Sequence, residues 1–401
     1  PSIAHLTMQL QRLSQEQLDG VYAADRQLQD IFPLAPMQEG MLFHSLELPN
    51  SGLYCEQSVF TFQGPFYTDA FKSAWRQVMD RHSMLRTRVE WKGLDRPHLI
   101  LSEHPPLDVT ELDWRSLPAG ERKVLLAQFL EEDRRRGFDF ERSALMRFTL
   151  IRLEDGLLQF VWTFHHLLLD GWSSPIVVQE FFTLFEAESQ GRSVRLKPAH
   201  SFRDYIAWLS QQNKAEAESF WRGYLQGIEE ATAVPADLSP GGEEAVYEEI
   251  KQNLPVALTD RLQAFARKHQ LTVNTLVQGA WAILLSRYTG QTDVMFGATV
   301  SGRPADLEGV ESIVGLFINT LPVRVRPEAQ ANVLAYLKHL QEVQMDQRQY
   351  EYASLSELHG WSDVPRGTPL FRTYMVFENY PARRSPGERR ENGNHIEIGD
   401  F

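Results

Sequence analysis

The chain has 401 residues, of which 43% are hydrophobic, and a formal net charge of −13. This length and hydrophobic content predict a soluble protein of two domains with a large buried core. The acidic balance counts against a nucleic-acid partner, because binding phosphates requires a basic surface.

Cys55 is the only cysteine in the sequence, so the chain cannot form an internal disulfide and fits a reducing cytoplasm. No apolar run approaches the roughly twenty residues that a membrane-spanning helix needs. The first residues also lack the basic and then apolar pattern of a signal peptide. We therefore expect a cytoplasmic protein with no membrane partner. No local motif activates the Cys55 thiol, so we expect this residue to be structural rather than nucleophilic.

The N-terminal half is predicted to alternate helices and strands. Ile3–Asp30 is polar and helix-prone, with Ser14 and Gln17 in a capping-box arrangement, and we expect a linker that docks on the body. Helices are then predicted at Pro36–Leu46, Thr68–His82 and Glu121–Arg136, and strands at Tyr54–Phe62, Leu85–Trp91 and Leu157–Phe164. The aromatic and branched residues of the last strand are typical of a buried one.

The most informative segment follows that strand and has the sequence HHLLLDG at positions 165–171. A histidine beside a buried strand is often only a hydrogen-bonded core residue. However, its ordinary pKa of about 6.5 also lets it accept a proton near neutral pH. If the strand continues through the pair, His165 and His166 point to opposite faces, which argues against a metal site built from both. Asp170 is either a second acid or base or a loop anchor paired with a buried arginine, and we favour the anchor.

A helix is predicted to start at SSP, positions 173–175, and to run to about Glu188. The polar, proline-ended stretch Gly191–Pro198 is the predicted lobe boundary. The predicted domains are a linker at 1–30, an N-terminal lobe at 31–197 and a C-terminal lobe at 198–401. Beyond the boundary, helices are predicted at Phe202–Gln212, Glu216–Tyr224, Thr259–Lys268, Val273–Tyr288 and Asn332–Tyr350. Strands are predicted at Glu248–Leu254, at Asp293–Val300, within Val314–Val325 and at Thr373–Phe377. This interleaving indicates a layered α/β fold.

Six motifs occur along the chain in an order that resembles one family. They are PLAPMQEGMLFH (Pro33–His44), RHSMLRTRV (Arg81–Val89), HHLLLDGWS (His165–Ser173), RDYIAWL (Arg203–Leu209), FGATVSGRP (Phe296–Pro304) and VGLFINTLPVRV (Val314–Val325). As a set they resemble the condensation domains of nonribosomal peptide synthetases over nearly the whole chain. That resemblance implies an α/β fold of two lobes, each similar to chloramphenicol acetyltransferase, arranged as a V-shaped pseudo-dimer with a tunnel between them.

The resemblance also implies an amide-forming acyl transfer. The α-amine of an aminoacyl group on a downstream peptidyl carrier protein attacks the thioester of a donor on an upstream carrier, a peptide bond forms and the donor thiol leaves. Both substrates hang on 4′-phosphopantetheine arms, so we expect no bound cofactor and no metal. Adenylation domains of the same assembly line are further expected partners. PGGEE (Pro240–Glu244) lacks the serine of a GGxS attachment site, so we expect the carriers in neighbouring domains or other chains.

Carried onto this sequence, the resemblance assigns residues to an active site. His166 is the expected catalytic residue, either a general base or a group that positions the amine. Gly171 is expected to keep the loop close to substrate and to offer its backbone N–H, while His165 completes the catalytic motif and is expected to shape the loop. Asp170 and Arg303 are expected to form a structural ion pair that joins the two lobes beneath the site.

Four further residues are assigned to the substrate tunnel, namely Trp172, Ser173, Ser301 and Asn319. We also expect Trp172 and Ser173 to shape the loop rather than react. For Asn319, a buried amide that satisfies backbone groups is an equal alternative. Ser301 has no companion triad pattern, which argues against a serine nucleophile.

MQEGMLFH and HHLLLDGWSSP look more like members that join a donor ending in a D-residue to an L-acceptor than like L-to-L members. The open alternatives are an epimerization domain, a coenzyme A-dependent acyltransferase and a non-catalytic member that docks carriers or recruits an enzyme. The intact HHxxxDG motif favours catalysis over the last of these. The sequence ends soon after FRTYMVFENYP, where family members continue, so we expect an incomplete C-terminal lobe.

Overall fold

The computed structural model describes residues 13–24, 28–142, 144–233, 249–327, 332–379 and 395–398. The chain packs into two compact units. Unit 1 contains the described residues of Pro1–Gln212, Arg303–Phe317 and Tyr380–Phe401, and unit 2 contains those of Asn213–Gly302 and Ile318–Asn379.

Helices and strands interleave in both units, as an α/β fold requires. The strands are β1 Leu28–Pro33, β2 Cys55–Gln63, β3 Thr87–Glu90, β4 His98–Ser102, β5 Val109–Asp113, β6 Met146–Glu154, β7 Leu157–His165, β8 Val294–Val300, β9 Asn319–Val325, β10 Tyr374–Met375 and β11 His395–Ile398. The α-helices are α1 Gln15–Ala24, α2 Pro36–Glu47, α3 Thr68–Arg81, α4 Ala119–Arg136, α5 Ser173–Ser189, α6 Phe202–Ser210, α7 Lys214–Leu225, α8 Val256–His269, α9 Val273–Thr289, α10 Val333–Gln347 and α11 Leu355–Gly360.

Unit 1 is built on a five-stranded sheet with the strand order β11-β2-β7-β6-β5. Strands β2 and β7 pair antiparallel along their whole length, from Gln63 opposite Leu157 to Cys55 opposite His165. The first histidine of the HHxxxDG motif is therefore the last residue of a central strand. A smaller sheet has the order β1-β4-β3.

Helices α3 and α5 cover one face of the five-stranded sheet with large aromatic side chains. Trp75 of α3 lies 4.5 Å from Phe148 of β6 and 4.7 Å from Phe181 of α5, measured between ring centroids. Phe71 lies 4.9 Å from Phe160 of β7, edge to face. These rings are almost fully buried, and each removes a large apolar area from water. This packing fixes β7, and therefore its C-terminal end.

Unit 2 contains a three-stranded sheet with the order β10-β8-β9. Strands β8 and β9 pair antiparallel, and β10 pairs parallel with β8. The sheet approaches Phe371 so closely at Gly297 that an added Cβ would lie 2.4 Å from the ring. Only glycine fits at this position of β8 without a shift of that ring.

Most predicted elements are confirmed, with end positions that differ by a few residues. The capping box is present, because Ser14 Oγ accepts the Gln17 N–H at 3.2 Å and Gln17 Oε1 accepts the Ser14 N–H at 2.9 Å. The predicted strand Glu248–Leu254 is wrong where the structure describes it. Residues 249–254 form no ladder, and Ile250 is 91% exposed, so this stretch has neither a partner strand nor a buried face.

The unit boundary falls at Gln212, later than the predicted boundary at Pro198. The reason is that α6 buries Phe202 and Tyr205 in the core of unit 1, where both rings pack on Phe317. The polar composition correctly indicated a loop before α6. The packing of α6, however, determines that this helix belongs to unit 1. The described part of the predicted linker belongs to unit 1, and residues 1–12 lie outside the described residues.

Helices α3 and α5 are also joined by a charged cluster around Glu180. Its carboxylate accepts hydrogen bonds from His82 Nε2 at 2.8 Å and from Arg81 Nε at 2.9 Å. Burial alone would raise the pKa of Glu180, but these two hydrogen bonds outweigh it and lower the pKa to about 2. Because the folded pKa lies below the ordinary value of 4.5, the stabilisation is present above pH 4.5 and is lost as the pH falls toward 2.

We expect Glu180→Gln to lower the free energy of unfolding by about 2 kcal/mol at pH 7, a value reduced from the full pKa effect because the side chain is partly exposed. The difference from the wild type should shrink toward zero as the pH falls from 4.5 toward 2. Urea unfolding at several pH values measures it, with the exposed Glu132→Gln as control. A difference that stays constant over this range would contradict the assignment.

No described helix is both long and apolar enough to cross a membrane. Within the same residues, no group of three or more histidine, cysteine, aspartate or glutamate side chains has an arrangement that could hold a metal ion.

Candidate active site

The HHxxxDG segment forms the connection between β7 and α5 in unit 1. His165 ends β7 and is 2% exposed, whereas His166 is half-buried. The two side chains therefore lie in different environments, as the alternation of a strand predicts.

His165 is a structural residue whose tautomer is set by its two partners. Its Nδ1 lies 3.1 Å from the Leu167 N–H, and its Nε2 lies 3.1 Å from Ser45 Oγ. A backbone N–H only donates, so Nδ1 accepts and the ring proton lies on Nε2. Burial, together with the nearby His166, lowers the pKa of His165 to about 3. The ring is thus neutral at physiological pH, and both its nitrogens are used in holding the loop.

His166 is anchored through its backbone. Its N–H donates to the carbonyl of Tyr54 at 2.8 Å. Within the part of the chain that the structure describes, its Nδ1 is buried and makes no hydrogen bond. No carboxylate of the described residues therefore binds Nδ1 of this imidazole, in contrast to a Ser-His-Asp triad.

Gln38, from the MQEG motif in α2, holds the same loop from the other side. Its side chain is fully buried, donates through Nε2 to the Leu167 carbonyl at 2.9 Å and accepts the Ala35 N–H at 2.8 Å. The sequence identified the motif but not this contact. Gln38 therefore connects the first motif to the backbone of the third.

Asp170 is the anchor of the loop and is 1% exposed. One carboxylate oxygen accepts the Ser173 N–H at 2.8 Å and the other accepts the Phe317 N–H at 3.0 Å. Arg303 Nη2 donates to Asp170 at 3.3 Å. The side chain of Asp170, rather than that of Ser173 or Ser174, therefore caps the first turn of α5.

Arg303 is the buried partner of Asp170. Its guanidinium donates to the carbonyls of Val310 and Ile313 and lies 4.0 Å from the Phe317 ring centroid. Burial lowers the pKa of Arg303, although the Asp170 carboxylate opposes this effect. The predicted ion pair is present, but the prediction that it joins the two lobes is wrong. Both residues belong to unit 1, because Arg303–Phe317 packs there.

Two residues assigned to the tunnel instead connect the loop to this segment. Ser173 is fully buried, donates to the Gly315 carbonyl at 2.8 Å and accepts a hydrogen bond from Arg303 at 2.9 Å. It has no exposed surface with which to line a passage, so that assignment is corrected. Trp172 is partly exposed and donates through Nε1 to the Glu311 carbonyl at 3.1 Å. Both residues shape the loop, as the sequence also predicted.

The other two tunnel assignments lie in unit 2. Asn319 is 6% exposed, and its Nδ2 donates to the carbonyls of Glu351 and Ala353, each at 2.7 Å. This is the alternative in which the amide satisfies backbone groups, and it replaces the tunnel assignment. Ser301 is exposed at the end of β8. Gly171 is half-buried in the turn that precedes α5.

A buried ion pair lies behind β7 that no local pattern in the sequence predicted. Asp133 of α4 accepts a hydrogen bond from Arg147 Nε at 2.9 Å and another from Thr163 Oγ1 at 2.6 Å. Cys55 lies next to this cluster, and burial raises the pKa of its thiol to about 11. The thiol is therefore protonated near neutral pH, which fits the predicted structural role of Cys55.

The chain matches the family model described as "Condensation domain" over residues 28–399. It is 46% identical over 381 residues to a linear gramicidin synthase of Brevibacillus parabrevis, covering 94% of this chain and 5% of the relative. It is 35% identical over 388 residues to bacitracin synthase 3 of Bacillus licheniformis, covering 96% of this chain and 6% of the relative. The chain thus spans a small part of the length of these curated relatives.

Solved structures show the same fold. The first condensation domain of the calcium-dependent antibiotic synthetase, in complex with a substrate analogue, superposes with a TM-score of 0.72 at 17% identity, over 92% of this chain and 84% of that one. The starter condensation domain of rhizomide synthetase gives a TM-score of 0.71 at 18% identity, over 92% and 82% of the two chains. With the family model and the curated relatives, this places the chain in the condensation-domain family, the acyltransferases that form amide bonds in nonribosomal peptide synthesis.

Proposed function

We propose that the chain joins a donor acyl thioester on an upstream carrier protein to the α-amine of an aminoacyl acceptor on a downstream carrier. The observation that carries this proposal is the placement of His166. It is half-buried at the end of a central strand, on a loop held by Tyr54, Gln38 and Asp170. A fixed imidazole can position an attacking amine, and positioning accounts for much of the rate of such a reaction.

We further propose that His166 orients the amine by hydrogen bonding rather than acting as a strong general base. A base of the triad type has a carboxylate on Nδ1 that stabilises the imidazolium it becomes. Here Asp170 is occupied by Ser173, Phe317 and Arg303, and Nδ1 of His166 makes no hydrogen bond within the described residues. Thioester aminolysis is downhill, so orientation and stabilisation of the developing oxyanion are the larger requirements. Gly171 is the proposed backbone N–H donor of this site.

The proposed donor ends in a D-residue and the proposed acceptor is an L-residue, and the support for this is the pair of motifs at Met37–His44 and His165–Pro175. The proposed partners are the two carrier proteins, whose phosphopantetheine arms bring the substrates, and the adenylation domains that load them. Because Cys55 is the only cysteine, we place this chemistry in a reducing cytoplasm.

The proposal is tested by supplying the chain with two carrier proteins. The donor carrier is loaded with N-acetyl-D-leucine or N-acetyl-L-leucine and the acceptor carrier with L-leucine, and the dipeptide is followed by mass spectrometry. We expect the D-donor to react about tenfold faster than the L-donor, which corresponds to a modest difference in pocket contacts. We expect His166→Ala to slow condensation of the D-donor about 100-fold, because the amine loses its positioning partner.

The matched control is His104→Ala, which removes an exposed histidine of the same unit and should condense like the wild type. Wild-type rates in His166→Ala would refute the catalytic assignment. Equal rates with both donors would refute the D-to-L subtype and leave the assignment of His166 intact.

A further inference from the structure

Tyr54 has a backbone conformation that an aromatic residue rarely adopts. Its φ is +58°, in the left-handed region, where the Cβ of an L-residue clashes with the following carbonyl. A strained residue of this kind persists only when its surroundings hold it, and such residues are concentrated at functional sites.

The strain places the Tyr54 carbonyl against the catalytic histidine. Tyr54 directly precedes β2, whose last pair with β7 is Cys55 opposite His165. One residue beyond this pair, the Tyr54 carbonyl accepts the His166 N–H at 2.8 Å. The β2–β7 ladder is thus extended by one hydrogen bond, and that bond holds the backbone of His166.

The side chain of Tyr54 holds it in this conformation. Its hydroxyl lies 3.0 Å from His44 Nδ1, and its ring stacks on the His44 ring with 6.3 Å between centroids. The ring also meets the edge of His165, with centroids 6.1 Å apart. Tyr54 is therefore fixed from both α2 and the end of β7.

This anchor matters because the Nδ1 atom of His166 makes no hydrogen bond to any of the described residues. Enzymes usually orient a catalytic imidazole through a hydrogen bond to Nδ1. Within the described residues, His166 Nδ1 has none, so the position of the ring depends on how its backbone is held. The Tyr54 carbonyl is the group that contacts that backbone directly.

We propose that Tyr54 is a positioning residue, whose strained backbone and clamped ring fix His166 for reaction. This inference rests on the proposed role of His166. It assigns a function to a residue outside the HHxxxDG motif and explains why a left-handed tyrosine occupies this position.

The decisive test is Tyr54→Gly, measured with N-acetyl-D-leucyl and L-leucyl carrier proteins at a temperature where circular dichroism shows the variant folded. Glycine tolerates the left-handed region but no longer holds the carbonyl in place. We expect kcat to fall about tenfold or more, with the KM for both carriers unchanged, because a misplaced reacting group lowers the rate steeply. Tyr54→Phe keeps the ring and should remain within about threefold of the wild-type kcat.

The matched control is Asn50→Gly, since Asn50 is an exposed residue of the same loop with φ +63°. It introduces the same glycine freedom at a second left-handed position of that loop, one where asparagine is less strained than tyrosine, so kcat should be unchanged. The double variant Tyr54→Gly/His166→Ala should be no slower than His166→Ala, because a residue that acts through His166 has no effect once His166 is absent.

The outcomes separate the two proposals. If Tyr54→Gly retains wild-type kcat while His166→Ala is impaired, only the positioning role is wrong. Additive losses in the double variant would also overturn it, because they would mean that Tyr54 acts independently of His166. Wild-type kcat in His166→Ala would instead overturn the catalytic assignment of His166, on which the positioning role of Tyr54 rests.

Discussion

Asp170→Ala is expected to lower the free energy of unfolding of unit 1 by about 3–5 kcal/mol, the usual cost of leaving a buried charge without its partner. The side chain of Asp170 has no exposed surface and that of Arg303 is 5% exposed. Loss of the carboxylate also leaves the N–H groups of Ser173 and Phe317 without their acceptor, which adds a desolvation cost for each.

Urea unfolding followed by tryptophan fluorescence measures this effect, with Asp139→Ala as the matched control. Asp139 pairs with Arg142 at 3.2 Å, but its side chain is 58% exposed, so its loss should change stability by about 1 kcal/mol or less. Asp170→Asn keeps an acceptor oxygen and should lose less than alanine. A change below about 1 kcal/mol in Asp170→Ala would show that the pair is not buried as described.

The sequence predicted the strand-to-helix loop at positions 165–171 well because its signals are local. A run of aromatic and branched residues predicts a buried strand, and alternation along a strand predicts that two adjacent histidines have different environments. Both features are present, with His165 enclosed and His166 half-buried. The Asp170–Arg303 pair came from the family resemblance, because a sequence separation of this kind carries no local signal.

The contacts that hold the loop were not predictable from local patterns. Gln38 meets Leu167 only because α2 packs beside the end of β7, and Tyr54 meets His166 only because of the β2–β7 register. A glutamine in a helix and a tyrosine before a strand carry no sequence signal that predicts these backbone partners. The same limit explains Asn319, whose motif suggested a substrate contact while its amide is bonded to the backbone of residues 351 and 353.

The predicted boundary between the two units differs from the observed one for a related physical reason. A polar, proline-containing stretch indicates a surface loop, but it does not say which core the following helix joins. Helix α6 carries Phe202 and Tyr205 into the core of unit 1, and Arg303–Phe317 packs there as well. Because an added Cβ at Gly315 would lie 2.0 Å from the Phe202 ring, this approach requires glycine. The order of elements along the chain therefore could not predict that α6 and residues 303–317 belong to unit 1.

The ion pair between Asp133 and Arg147 also supports the aromatic side chain that packs on His165 at the end of β7. The Arg147 guanidinium lies 4.2 Å from the Phe138 ring centroid, and Phe138 meets the edge of the His165 ring at 6.1 Å. The side chains of the pair are only 8% and 10% exposed. The charged pair thus supports Phe138, the aromatic side chain against which His165 packs.

We expect Asp133→Ala to lower the free energy of unfolding by about 3–5 kcal/mol, because Arg147 remains as a buried cation without a carboxylate. Hydrogen exchange at the amides of β6 and β7 measures this change locally, which suits a chain of two units whose unfolding need not be a single step. Protection of both strands should fall together, since they are neighbours in the sheet.

The double variant Asp133→Leu/Arg147→Met distinguishes loss of the charge balance from loss of packing. Replacing a buried ion pair with apolar residues of similar volume is often neutral, whereas removing one partner is not. The double variant should therefore recover at least half of the stability that Asp133→Ala loses. The remainder reflects the Thr163 hydroxyl, which loses its acceptor in both variants, and the Gly137 carbonyl, which loses the Arg147 side chain only in the double variant. A double variant less stable than Asp133→Ala would contradict this explanation. It would mean that the attraction between the two charges stabilises unit 1, and that the stability lost in Asp133→Ala does not come from leaving Arg147 unpaired.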